Sequence, residues 1–91
     1  MILQVNVTQE DINRGKICMP MNCPVALAVT RAVPNKEVVV SSFKVTTHTD
    51  DPNDIEIAEL PEEATAFILA FDNKKSVTPF SFTVEFGPRK A

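Results

Sequence analysis

Two periods of apolar residues run through this chain. Leu3, Val5 and Val7 alternate with Gln4 and Asn6, the period of two that a half-buried strand requires. Near the other end Phe80, Phe82, Val84 and Phe86 alternate just as strictly with Ser81, Thr83 and Glu85. Between these segments the period changes. Val25, Ala28, Val29 and Ala32 recur at helical spacing, with Ala26 and Leu27 widening the face, and Ala64, Phe67, Ile68 and Phe71 fall at i, i+3, i+4 and i+7. The first helix, Asn22 to Val33, is apolar on nearly every side except at Thr30 and Arg31. That pattern predicts a helix held between a sheet and a second element.

Boundary residues divide the rest. Thr8 and Asp11 have the spacing of a capping box, predicting a short helix from Gln9 to Arg14 that Gly15 ends in the left-handed conformation. Asn22 is the expected N-cap of the apolar helix, with Pro24 in its first turn and Pro34-Asn35 as its stop. Lys36 to Ser41 and Phe43 to Thr47 read as β-structure, with Ser41-Ser42 either a turn between two strands or a bulge within one. Thr49 to Asn53 is a turn, and Ile55 and Ile57 continue the alternation in a short strand. Pro61 is expected at the first position of the last helix, followed by Glu62 and Glu63 at the positive end of its dipole, and Asn73-Lys74-Lys75 closes it.

The order β-α-α-β-β-β-α-β predicts a single α+β domain over residues 1–87, with 88–91 as a tail. Its sheet is expected to be largely antiparallel, of four or five strands, with helices packed on one face. The phenylalanines of the last strand need cover, from those helices or from a second copy in a homodimer.

Composition narrows the function classes. The chain has 91 residues, 44% hydrophobic and 23% charged, which suits one globular domain and no second core. No apolar run approaches the roughly 18–20 residues that cross a bilayer. The first residues, M-I-L-Q-V-N-V-T, lack the basic region and long apolar stretch of a signal peptide, so a cytoplasmic protein with reduced thiols is expected. The net charge of −3 is uneven. Through Val45 five basic residues outnumber three acidic ones, whereas from Thr46 onward nine acidic residues face four basic ones. An acidic balance without Trp or Tyr disfavours generic nucleic-acid binding.

Candidate chemistry is sparse, and no cofactor or metal site is expected. Cys18 and Cys23 with the lone His48 do not make the four-ligand set of structural zinc, and their spacing is not that of a redox motif. Cys23 in a helix first turn has the position of an activated thiol, yet nothing in the spacing brings His48 to it as a base. No catalytic residue is assigned. An anion site is conceivable at the start of the Asn22 helix, where backbone N–H groups near Cys23 would be supported by Arg14, Lys16 and Arg31. Asp50, Asp51 and Asp54 form the acidic block best suited to a basic partner.

Four segments in order, I-N-R-G from Ile12, C-P-V-A-L-A from Cys23, F-I-L-A-F-D from Phe67 and V-T-P-F-S-F from Val77, resemble those of short uncharacterised proteins of bacteriophages, prophages and some bacteria. In that group glycine often follows F-D-x, where this chain has Lys74. The resemblance covers most of the chain and implies an accessory protein acting in the cytoplasm of the bacterial host. The expected function is non-catalytic binding, as an inhibitor that occludes a host defence protein. The alternative is an oligomeric sponge for a nucleotide-like anion at the Asn22 helix.

Overall fold

The computed structural model describes residues 2–88, and its element order follows the sequence pattern. β1 (Ile2–Val7) leads through α1 (Gln9–Arg14) to α2 (Pro24–Ala32), and then come β2 (Glu37–Val40), β3 (Lys44–His48) and β4 (Ile55–Glu59). α3 (Glu62–Asp72) precedes β5 (Phe80–Glu85) and a two-residue strand, β6 (Gly87–Pro88). The fold is α+β with antiparallel pairing throughout the described residues. The strands form two sheets: β1 pairs with β5, and the second sheet has the order β2-β3-β4-β6.

The junction of the sheets is one continuous run of chain. β5 ends at Glu85, Phe86 turns into the core at 3% exposure, and Gly87–Pro88 then pair with Ile57 and Glu56 of β4. Pro88 therefore belongs to the ladder rather than to a tail. The remainder of the expected tail, residues 89–91, lies outside the described residues.

α2 packs against β1 of one sheet and β2 of the other, which accounts for its apolar circumference. Pro24, Val25, Ala26, Ala28 and Val29 are buried. They join Val5 and Val7 from β1, Val38 and Val40 from β2, Val45 from β3 and Ala58 from β4 in one core. Burial of this kind is worth about 1.5–3 kcal/mol per large apolar side chain and is the main favourable term for a chain this short. α3 covers the aromatic strand: the Phe67 ring lies 4.7 Å from that of Phe80 and 6.3 Å from that of Phe71. The helices of the same chain thus cover those phenylalanines.

Several local expectations are corrected, and two that were left general, the strand at Ile55 and the segment at Ser41-Ser42, are made specific. The N-cap of α2 is Cys23, one residue after Asn22; its Sγ accepts from the Ala26 N–H at 3.4 Å. Asn22 is exposed, and its carbonyl accepts from the Lys16 N–H at 2.8 Å, closing the base of the connecting loop. Gly15 is not left-handed but extended, at φ −69° and ψ 152°. Its reason is proximity, since a Cβ there would lie 2.5 Å from the Pro24 ring. Pro61 caps α3 rather than occupying its first turn. Ile55 and Ile57 face away from the core and are half-buried; the phase of β4 is set by Ala58, which pairs with buried Val45. Ser41-Ser42 is a turn, in which the Ser41 Oγ accepts from the Lys44 N–H at 3.1 Å between two antiparallel strands.

The capping box at Thr8 forms as the spacing predicts: the Asp11 N–H donates to Thr8 Oγ1 and the Thr8 N–H donates to Asp11 Oδ2. At the end of α3 the chain needs a left-handed residue, and Lys74 supplies it at φ 62°. The Lys75 N–H then reaches the Ala70 carbonyl at 2.9 Å, in the manner of a glycine-terminated helix. A side chain at such a position costs about 1–2 kcal/mol, partly offset because glycine loses more freedom on folding. Lys74→Gly is therefore expected to raise stability by about 0.5–1 kcal/mol. A higher urea midpoint with an unchanged slope would register it, and an unchanged or lower midpoint would contradict the strain.

Candidate functional site

Two helices and one strand meet at a carboxylate. Asp11 sits in the first turn of α1 at 4% exposure, and its two oxygens accept from Arg31 Nη1 and Nη2, each at 2.8 Å. Arg31 Nη2 also donates to the Asn6 carbonyl at 2.9 Å, so one guanidinium joins α2 to α1 and to the end of β1. The Arg31 hydrogen bonds hold the Asp11 carboxyl below the usual carboxylate value, against the opposing effect of burial. Arg14 is paired within its own helix to Glu10 at 2.9 Å. A cleft of about 360 Å³ lies between Glu10, Asp11, Arg14, Leu27 and Arg31, with its cations already matched by carboxylates.

The expected anion residues therefore occupy different surroundings. Arg14 and Arg31 face Glu10 and Asp11, Lys16 is exposed at the start of the connecting loop, and Asn22 is exposed at its end. Cys23 lies under the helix start at 5% exposure, with its sulfur directed at the Ala26 N–H. Of the first-turn groups that would cradle an anion, the Ala26 N–H is taken by this thiol and Pro24 has no N–H to offer.

The two thiols differ in kind. Cys18 is exposed, in a left-handed conformation at φ 58°, and its N–H donates to Asp72 Oδ1 at 3.0 Å. Burial pushes the Cys23 thiol above its ordinary value, outweighing the helix N–H groups that would favour a thiolate. Both line one cleft of about 250 Å³ with Met19, Pro20, Val40, Ser41, Ser42, Ile68 and Asp72. His48 is elsewhere, at the end of β3, with Nε2 3.4 Å from Glu37 Oε2 across the ladder. No group of three or more His, Cys, Asp or Glu side chains among the described residues could hold a metal ion.

The acidic block is a tight turn. The Asn53 N–H donates to Asp51 Oδ1 at 2.9 Å, the Asp54 N–H to the Asp51 carbonyl at 2.9 Å, and Thr49 Oγ1 to Asp54 Oδ2 at 3.0 Å. Lys36 Nζ draws in Asp54 at 3.6 Å and Glu56 at 2.9 Å. Asp50 and Asp51 remain exposed. Asp50 also lines a cleft of about 260 Å³ with Lys36, Glu37, His48 and Thr49. The sequence offers no periodic cue to the Asp11–Arg31 pair or to the cleft at Cys18, because both join segments far apart along the chain.

Comparison with protein-family models, curated proteins and solved structures gives no match. No helix among the described residues is long and apolar enough to cross a membrane.

Two outcomes follow from this geometry. Because the folded-state pKa of Asp11 is lowered, its contribution is complete above the ordinary carboxylate range and is lost as pH falls through the lowered value. Asp11→Asn is expected to cost about 2 kcal/mol at neutral pH and to flatten the acid limb of the stability profile. Urea unfolding across pH checks both, and an acid limb as steep as that of the parent would remove Asp11 from its cause. For the thiols, a colorimetric disulfide reagent at mildly alkaline pH is expected to modify Cys18 rapidly in the native protein and Cys23 only after denaturation. Equal native rates would contradict the burial of Cys23.

Proposed function

We propose that this protein is a phage-type accessory binding protein that occludes a protein of the bacterial host, a component of a defence system, and performs no chemistry of its own. The observation that carries the reading is an exposed acidic turn beside a partly exposed sheet face. Val39, Thr46, His48, Ile55 and Ile57 face away from the buried set Val38, Val40, Val45, Thr47 and Ala58, and each keeps part of its surface in solvent. Asp50 and Asp51 follow the end of that face in the turn after β3, and Asp50 lines the cleft at His48. An apolar strip bordered by carboxylates suits a partner with apolar and basic side chains, the carboxylates guiding approach and the strip holding the complex.

The separation of Cys23 from His48, on different elements and beside different clefts, agrees with a binding role. The phage assignment rests on the motif resemblance alone. The reading as an anion sponge has no comparable support, since Arg14 and Arg31 already hold carboxylates and the start of α2 is occupied by the Cys23 sulfur.

The test is recovery of a host protein on immobilised chain, compared with an Asp50→Asn, Asp51→Asn variant. Asp54 is left intact because it builds the turn. A partner retained by the parent and reduced about tenfold or more on the variant is the expected result, in keeping with the loss of steering and rim charge. Equal recovery on both would end the role of the acidic turn.

A further inference from the structure

Both thiols of this chain open onto one concavity, and the backbone between them doubles back on itself. Cys18 and Cys23 line the cleft of about 250 Å³ that the loop before α2 shares with the β2–β3 turn and α3. The loop is closed on one side by the Lys16 N–H, which donates to the Asn22 carbonyl at 2.8 Å. On the other side the Met19 carbonyl accepts from the Asn22 N–H at 3.0 Å and from the Cys23 N–H at 2.9 Å. Cys18 is therefore one residue away from a direct backbone contact with Cys23.

The two sulfurs differ in a way that orders their chemistry. Cys18 is exposed and left-handed at φ 58°, with its N–H tied to Asp72 Oδ1 at 3.0 Å. A residue with a side chain seldom adopts that conformation and keeps it only where its surroundings hold it. Cys23 is 5% exposed, and burial, with a smaller contribution from Asp72, holds its thiol in the protonated form. An oxidant arriving from solvent meets Cys18 first. Cys23 is reached through the cleft.

We propose that Cys18 and Cys23 form an oxidation site for a hydroperoxide, in which Cys18 reacts first and Cys23 resolves it to an internal disulfide. With hydrogen peroxide, the Cys18 sulfur attacks one oxygen, the O–O bond breaks, and the products are a sulfenic acid and water. The Cys23 sulfur then attacks the Cys18 sulfur, the S–O bond breaks, and the thiol proton leaves with the hydroxyl as a second water. The thiols together lose two hydrogens, and the peroxide is reduced to water. A disulfide tolerates Cα separations up to about 7 Å, so the turn from Met19 to Cys23 leaves only side-chain rotation and a small loop movement to complete it. A hydroperoxide suits the cleft because it leaves a single oxygen on Cys18, whereas the adduct of an aromatic disulfide reagent holds the two sulfurs apart. The inference does not depend on the reading of the protein as a binding module.

The test exposes the full native chain to a small excess of hydrogen peroxide at neutral pH and then alkylates it under denaturing conditions. The mass of the tryptic peptide covering residues 17–31, which carries both thiols, is the readout. Sulfoxides at exposed Met19 and Met21 add oxygen that thiol reductants do not remove, so they are told apart from a disulfide. The expected peptide takes up no alkyl group, is internally linked, and regains both thiols with reductant. In Cys23→Ser, where serine is itself a good helix cap, dimedone is expected to trap Cys18 as its sulfenic acid. In Cys18→Ser, loss of the Cys23 thiol should slow about tenfold or more, because that sulfur is shielded. A Cys23 thiol that persists beside oxidised Cys18, a link formed only between two copies, or equally fast loss of Cys23 in Cys18→Ser would each overturn the proposal.

Discussion

A single carboxylate has to be kept charged inside this fold. Asp11 is buried, so it requires donors, and it has three: the Thr8 N–H that closes the capping box and both terminal nitrogens of Arg31. These donors come from two parts of the frame, the residue that caps α1 and a side chain of α2. Removing the guanidinium would leave a charge with little water to replace it, whereas removing an exposed pair such as Arg14–Glu10 would change little. The angle at which α2 leaves the loop is constrained again at its other end, where Gly15 approaches the Pro24 ring too closely for any Cβ. One polar clamp and one steric clamp thus fix the helix that packs against both sheets.

That helix explains why a chain of 91 residues divides its strands between two sheets. An element apolar around most of its circumference has no satisfactory place on the surface of one sheet, but between two it buries most of its surface, with only Thr30, Arg31 and Ala32 exposed in its last turn. β1 and β5 supply one wall, and β2, with β3 and β4 behind it, supplies the other. The passage of the chain from β5 through buried Phe86 to β6 joins the walls covalently.

Much of this was legible in the sequence where neighbours within a few residues decide the outcome. The Thr8–Asp11 box, the stripe on α3 and the alternation of β5 are local patterns, and all appear as read. Long-range packing decided the rest. Asn22 has the better capping side chain, but its carbonyl is needed by Lys16, and the helix starts one residue later on a buried sulfur. Ile55 and Ile57 look like the core face of their strand until the register with Val45 assigns that face to Ala58. Gly15 does end α1 as its C-cap, but in an extended rather than left-handed conformation, and it also lets the Pro24 ring come close. The left-handed residue at the end of α3 is a lysine, so the usual glycine marker was missing although the conformation was not. For the candidate sites the thiols and acids were visible as residue types, but the clefts were not, since each is walled by segments remote in sequence.

Charge shows most clearly why residue types alone mislead about surfaces. By sequence the first half of the chain is basic and the second acidic, which invites an anion site near Arg14 and Arg31. In the fold those arginines are neutralised by Glu10 and Asp11, and Lys36 is drawn to Asp54 and Glu56 of the acidic segment itself. Among the described residues the cations without an ion pair are a different set: Lys16, Lys44, Lys74 and Lys75, two from each half. Internal pairing subtracts charge according to geometry, not according to position along the chain. The surface left over is what another molecule meets, and it can carry the opposite sign from the segment that a composition window would select.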